Sequence, residues 1–350
     1  MAMNETGFAR HVRGCNNARL PGERLPFRIG AEQVGWLAPR MVGALVGFPG
    51  VQIDPDALTL TDAAALPGIA RTLSERGFYR WRREAFDVRA RPDGPVLSTI
   101  DRGAIPAFGI QAAGVHLNGL VRRSGGLHLW IARRASDKAL DPGKLDHIVA
   151  GGVPAGLTPA ETLVKEAAEE AAIPPAIARR ATAVRTLSYA MDRSEGLRRD
   201  HLYCYDLELP ETFMPYAADG EVESFELWPV MRALEAVRDT DDFKFNVNLV
   251  LLDLFLRLDL IEGAEAAALR KAMAAGEDGA IAPKCDGPEE QHLTHPARPW
   301  DVAAPAIDAG HNRMREPEFG ERMTDAHSGA AARSGPDVAV RCPTGGRPGQ

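Results

Sequence analysis

The chain has no excess of basic charge: Lys and Arg number 41 against 48 Asp and Glu, leaving a net charge of −7. A nucleic-acid binder needs a broad basic face, so no nucleic-acid partner is expected. Long apolar runs are missing as well. No stretch approaches the roughly 18 residues of a membrane span, and no membrane association is expected. Residues 1–30 carry scattered arginines and no apolar h-region, so no secretory signal peptide is visible. Cysteine is scarce. Cys15, Cys204, Cys285 and Cys342 lie far apart with no C-x-x-C pair, which argues against a disulfide framework or a zinc ribbon. Reduced thiols and a cytoplasmic location are the expectation. Cys204, within HLYCYDLEL, reads as a buried strand residue. What the chain does have is apolar content, 45% of 350 residues, which suffices for a core and for about two domains.

The most informative stretch is AGGVPAGLTPAETLVKEAAEEAAIPP, residues 150–175. A glycine loop leads into a helix with defined ends. Thr158 occupies the N-cap position, Pro159 suits the first helical residue, and Glu161 completes a T-x-x-E capping box. Pro174 and Pro175 stop the helix near Ile173. At 100° per residue, Ala160, Val164, Ala167, Ala168 and Ala171 form a small apolar stripe that can lie close against a sheet. Glu166, Glu169 and Glu170 stand at i, i+3 and i+4 on the other side. Like charges so placed repel by a few tenths of a kcal/mol per pair, and a hard divalent cation reverses that sign. Taken alone, E-x-x-E-E is more often a solvated acidic face; the glycine loop and capped start are what favour a metal site.

In that frame the stretch resembles the Nudix box, G-x5-E-x7-R-E-U-x-E-E-x-G-U with U apolar. Lys165 stands for the box arginine, Ala172 for its glycine and Leu157 for its first glutamate, and the loop after Gly152 is one residue short. The wider chain resembles a subfamily that hydrolyses thiamine diphosphate and its damaged analogues, related to the Nudix part of thiamine pyrophosphokinase fusions. That likeness runs from about Arg10 to Arg257. It is carried by RHVRGCNNARLPGERLPF near the start, GVHLNGLV (114–121), LDHIVAGG (145–152), GLRRDHLYCYDLELPE (196–211), DGEVESFELWP (219–229) and FKFN (243–246).

The fold expected is α+β: a Nudix α/β/α sandwich with a mixed sheet, preceded by a small α+β domain. The expected domains are 1–112, 113–262 and a largely disordered extension, 263–350. In the first, 27–39 reads as two short strands around a turn, 62–77 as a helix, and YRWRREAFDVRA (79–90) as a strand. Asn118-Gly119 and Gly125-Gly126 are hairpin signals. VMRALEAVRDT and 247–262 read as helices. The polar loop 135–147 is expected at the site's entrance. Beyond about Gly276 the chain is rich in Pro, Gly and Ala without sustained period, and His292 and His295 there are assigned no role.

The resemblance implies Mg²⁺, with Mn²⁺ as a substitute, held by Glu166, Glu169, Glu170 and the Gly152 carbonyl. It implies that Lys165 orients Glu166, with one point charge where arginine has a fork, and that water and a small-molecule diphosphate give the monophosphate and phosphate. Glu221 is the candidate second acid or base, with Glu223 next. For the organic end of the substrate the candidates are Trp36, Trp81, Tyr189 and Asp200; Tyr79 is a further aromatic, equally suited to the core. Arg80, Arg82, Arg83, Arg89 and Arg91 suit diphosphate recognition, although a solvated strand face explains them as well. The alternatives are an ADP-ribose or other nucleoside-diphosphate hydrolase, and a non-catalytic binding protein that kept the fold. Oligomeric state is left open.

Overall fold

The computed structural model describes residues 7–280 except Ala139, Ala218 and Asp219, with backbone alone for 277–280. The extension beyond 280 that was expected to be disordered lies outside the described residues, with His292, His295, Cys285 and Cys342.

The first segment begins with helix α1 (Ala9–Cys15). Strands β1 (Leu25–Ile29) and β2 (Glu32–Leu37), helix α2 (Pro39–Leu45), strands β3 (Val51–Asp54) and β4 (Ala57–Leu60), and helix α3 (Leu66–Glu75) follow. The strands form a sheet in the order β2-β1-β4-β3, with β1 and β4 parallel. Its core holds Phe27, Leu37, Leu58, Leu66 and Leu73. A two-stranded sheet, β5 (Ala85–Val88) with β6 (Ser98–Asp101), and the short helix α4 (Ile105–Phe108) complete the segment.

The expected strand over 79–90 is shortened to β5. Buried Asp101 accepts the backbone N–H groups of Arg82 (2.9 Å) and Glu84 (3.2 Å), and Arg83 is left-handed at φ 63°, so residues 79–84 bend away from a ladder.

The large mixed sheet is built from β7 (Gln111–Arg123), β8 (Gly126–Arg134), β9 (Leu145–His147), β10 (Val149–Gly152), β11 (Thr182–Arg193), β12 (Gly196–Glu208) and β13 (Val222–Pro229). Its main order is β11-β12-β7-β8-β13, with β7 and β12 parallel, β10 on β7 and β9 on β8. Helices α5 (Pro159–Ala171) and α6 (Pro175–Ala178) pack one face around Val115, Ile148, Leu163 and Ala167. Helices α7 (Val230–Asp239), α8 (Val247–Arg257) and α9 (Gly263–Ala280) cover the other. This is the expected α/β/α sandwich. Helix α8 is buried along its whole length from Val247 to Leu256, which its nearly continuous apolar sequence requires.

Three expectations change. Asn118-Gly119 makes no hairpin, because β7 runs straight through it. A side chain at 119 would put its Cβ 2.9 Å from Ile148, so this glycine serves a close approach rather than a turn. The turn falls at Gly125 instead, pairing Arg123 with Gly126. Second, α1 packs away from its own segment: Phe8, Val12 and Cys15 are buried with Tyr189, Phe255 and Met273 in the core behind the large sheet. Third, the folded part passes the expected boundary at 262, since α9 buries Ala266, Leu269 and Met273 in that same core. The alanine-rich sequence of this helix marks only a weak apolar face, and its partner α1 lies some 250 residues away in sequence, a separation that local pattern cannot bridge.

Candidate active site

Helix α5 starts as its sequence requires. Thr158 Oγ1 accepts the Glu161 N–H (3.2 Å), and the Glu161 carboxylate accepts the Thr158 N–H (2.9 Å), closing the capping box. It ends at Ala172, which takes the left-handed conformation (φ 52°) that favours glycine. Pro175 does more than stop α5, for it is the first residue of α6.

The buried face of α5 differs from the expected stripe. Ala160 and Ala168 face solvent, whereas Thr162, Leu163, Ala167, Glu170 and Ala171 are buried. The acidic residues therefore divide. Glu170 lies on the inner face, 6% exposed, and accepts the Ala150 N–H at 2.9 Å. Glu166 is half-buried against β10: a Cβ on Gly151 would stand 2.6 Å from its carboxyl carbon, which is why the loop needs glycine there. Glu169 faces outward and pairs with Lys165 (2.5 Å), which also donates to Glu166 (3.1 Å). Lys165 thus holds Glu166 from the solvent side. Across from α5, exposed Glu221 pairs with Lys138 and lines a small hollow with Glu170, Asp146 and His147. Glu223 lies on exposed β13.

Burial pushes the Glu166 carboxyl up, opposed by Lys165, and burial raises Glu170 well above the ordinary range, opposed by the Ala150 N–H. Glu166 and Glu221 add like-charge repulsion on Glu170. Among the described residues, no basic side chain comes within ion-pairing distance of Glu170. A buried carboxylate without a cation, beside two others, is a hard oxygen donor set that suits a divalent ion.

A second cluster, His116, Asp146 and His147, brings its donor atoms within 4.8 Å of one another. Its charge argues against a cation. Burial opposes ionisation of Asp146, yet Lys244 (3.5 Å) and Arg134 (2.8 Å) hold its carboxyl down to about 2. Burial lowers His147 to about 4, and the neutral rings meet Nδ1 to Nδ1 at 3.0 Å.

A cleft opens beside these groups. The large sheet supplies Gly151, Gly152, His116, Arg198 and Asp200; Lys244 and Asn246 come from the approach to α8. The first segment supplies Phe86, Arg102, Ile105 and Pro106. The two segments meet tightly: Ala155 N–H donates to Ala85 O (2.7 Å), and a Cβ on Gly152 would lie 2.6 Å from the Phe86 ring. The structure thus brings Gly152 and Asp200 to the cleft. Tyr189 lies behind it, fully buried, its hydroxyl donating to Asp200, which Arg198 also binds at 3.0 Å. Trp36 and Trp81 do not line it. Trp36 is half-buried on β2, and Trp81 packs on the first core with the Arg71 guanidinium 5.1 Å from its ring. The five arginines of 80–91 lie outside the cleft lining too. Sequence reasoning missed Phe86, Arg102, Arg198, Lys244 and Asn246. The FKFN and GLRRDHLYCYDLELPE motifs, which hold Lys244, Asn246 and Arg198, were the available signals, and they gave these residues no role.

A profile of the NUDIX domain matches residues 114–248, and one described as a domain of unknown function (DUF4743) matches residues 7–112. The chain is 38% identical over 272 residues to "Nudix hydrolase 20, chloroplastic" of Arabidopsis thaliana, covering 72% of this chain and 73% of that protein. It is 37% identical to "Nudix hydrolase 24, chloroplastic" of the same plant, covering 73% and 74%. An uncharacterised protein of Saccharomyces cerevisiae is 34% identical over 197 residues, covering 52% of this chain and 56% of its own. The chloroplastic designation of both plant relatives overturns the cytoplasmic expectation. Widely spaced reduced cysteines report a redox environment, and several compartments share one.

Proposed function

The chain belongs to the Nudix hydrolase family, and so to the phosphoanhydride hydrolases, and we propose that it converts thiamine diphosphate or its oxidised analogues to the monophosphate and phosphate. Nudix hydrolases generally use divalent metals; here the ion is Mg²⁺, for which Mn²⁺ substitutes. Glu166 and Glu170, with Glu169 and the Gly152 carbonyl, would hold it. Bound there, a divalent cation screens the diphosphate and acidifies a water molecule.

The chain's own groups do the rest. The Ala150 N–H and the Gly151 surface fix the two inner carboxylates, and Lys165 orients Glu166. Glu221, on the opposite wall with Lys138 as its partner, would take a proton from water. Lys244 and Arg102 offer positive charge to the phosphates.

The observation that carries the substrate reading is the cleft itself. It runs from Gly151 and Gly152, the first of which lies against the Glu166 carboxyl, to a buried acid, Asp200, and it is walled by the Phe86 ring of the first segment. A molecule with a diphosphate at one end and a flat cationic ring at the other matches that order of groups; a cation over an aromatic face contributes roughly 0.5–2 kcal/mol. The test is phosphate release with and without Mg²⁺ across thiamine diphosphate, its oxo analogues, ADP-ribose and nucleoside triphosphates. The kcat/KM for the thiamine series should exceed the others. A higher value for ADP-ribose would overturn the substrate, and no Mg²⁺-dependent release from any of them would leave a binding protein.

A further inference from the structure

Resting on the diphosphate chemistry of that reading and not on its organic group, we infer that Arg80, Arg82 and Arg83 form an electrostatic guide. They draw anionic substrate to the mouth of the cleft without touching it once it is bound. All three are exposed. Successive residues of a strand point to opposite faces, but here the chain bends, and Arg82 and Arg83 both reach solvent. Asp101, 4% exposed, makes the bend: its carboxylate accepts the N–H groups of Arg82 (2.9 Å), Glu84 (3.2 Å) and Gly103 (2.8 Å). That brace ties the arginines to the turn carrying Arg102, which lines the cleft. The two stretches are closely apposed. Arg102 N–H donates to Glu84 O (2.7 Å), and a Cβ on Gly103 would stand 2.0 Å from Arg80 O. Arg83 is held left-handed at φ 63°, where glycine would sit more easily. Strain kept at a charged residue points to a use for the charge.

Glu84, the one acid of residues 80–84, pairs with Arg102 (2.9 Å). Among the described residues, no carboxylate comes within ion-pairing distance of the Arg80, Arg82 or Arg83 guanidinium. Arg102 and these three therefore outnumber Glu84 and Asp101, and the rim of the cleft is locally positive. The chain as a whole carries −7, whereas residues 7–112 hold 14 arginines against 10 aspartates and glutamates. The destination is acidic too, with Glu166, Glu169, Glu170 and Glu221 around it. A diphosphate is thus opposed by the charges it must reach and attracted by those of the first segment. Exposed charges act over a Debye length, roughly 10 Å at 0.1 M salt and about 30 Å at 0.01 M. Arginines outside the cleft lining can therefore raise the concentration of anion at its mouth without contact. Such a field depends on charge alone and has no need of the guanidinium fork.

The test measures kcat/KM for thiamine diphosphate and ADP-ribose from about 0.02 M to about 0.5 M salt at fixed free Mg²⁺. The triple variant Arg80→Gln, Arg82→Gln, Arg83→Gln should lower kcat/KM for whichever diphosphates are hydrolysed. The loss should be about fivefold to thirtyfold at low salt and under about twofold at high salt, with kcat unchanged. Lysine at the same three positions should restore wild-type behaviour at every salt concentration. Arg83→Gly alone should cost roughly twofold to threefold at low salt while melting no lower than wild type, which separates lost charge from lost fold. Unchanged low-salt values would overturn the inference, and so would a loss that survives high salt or that lysine does not restore, since either means direct contact. Calorimetric binding of methylenediphosphonate with Mg²⁺ reads the same field without turnover, and its Kd should rise in the glutamine variant by the same salt-dependent factor. A protein that hydrolyses no diphosphate and still shows that rise would lose the proposed activity and keep the guide. A Kd without it would remove the guide whatever is hydrolysed.

Discussion

Replacing Glu170 by Gln tests the metal site most directly, because stability and activity should move in opposite directions. The carboxylate is 6% exposed, accepts one N–H from Ala150, and has no basic partner among the described residues. Burial raises its pKa well above the ordinary 4.5. A raised folded pKa means that its contribution to stability is fully present below about pH 4.5 and is lost as pH rises toward the folded value. Glutamine keeps an oxygen for the Ala150 N–H and carries no charge. In metal-free buffer the variant should therefore melt at or above the wild-type temperature, and its advantage should widen between pH 4.5 and 7. With Mg²⁺ at about a hundred times its Kd, wild-type protein gains about 2.7 kcal/mol, or roughly 5–10 °C for a folded unit of this size. If losing one anionic ligand weakens binding about a hundredfold, the same Mg²⁺ concentration gives the variant only about 0.4 kcal/mol. Turnover should fall at least about a hundredfold. Differential scanning calorimetry with and without Mg²⁺, alongside phosphate release, supplies both readouts. A folded variant with the full Mg²⁺ shift and normal turnover would refute the assignment of α5 as the metal helix.

Without metal, Glu169→Gln loses its solvent-side pair with Lys165, so its metal-free stability should stay within about 0.5 kcal/mol of wild type; a larger loss by chemical denaturation would show that the pair braces α5. Ala172→Gly should stabilise the fold by roughly 1 kcal/mol, because it relieves a left-handed alanine at φ 52° that is exposed and has no packing to lose; an unchanged or lower Tm would contradict this. Val12→Ala, in the core behind the large sheet at 3% exposure, should destabilise by about 1.5–3 kcal/mol. A neutral result would mean that α1 does not dock there. His147, lowered to about 4, is neutral in the fold and takes up a proton on unfolding, so its contribution is fully present above about pH 6.5 and fades as pH falls toward 4. His147→Gln should flatten the stability profile in that window, as read from denaturant midpoints, and an identical profile would remove His147 as its source.

What the sequence determined by itself is local or nearly so. The capping box, Pro159 and the proline stop bounded α5 because each acts within one helical turn, and the two glycines before it marked the loop that leads into it. Alternation and apolar runs placed most strands and the buried helix α8. Tertiary structure decided which neighbours those elements meet. The register of α5 on β10 turned Glu170 inward and Glu169 outward, a rotation the apolar stripe misjudged because alanine is indifferent to burial. Gly119 had the composition of a turn and the function of a packing site, which only the position of Ile148 reveals. Trp36 and Trp81 were plausible ring partners by chemistry, but β2 and the first core hold them off the cleft. Phe86, Arg102, Lys244 and Asn246 come from two separate stretches of the chain, and they meet only when β5 docks on the glycine loop and α8 closes the sheet behind it. Long-range packing sets that meeting, and no period within one segment encodes it.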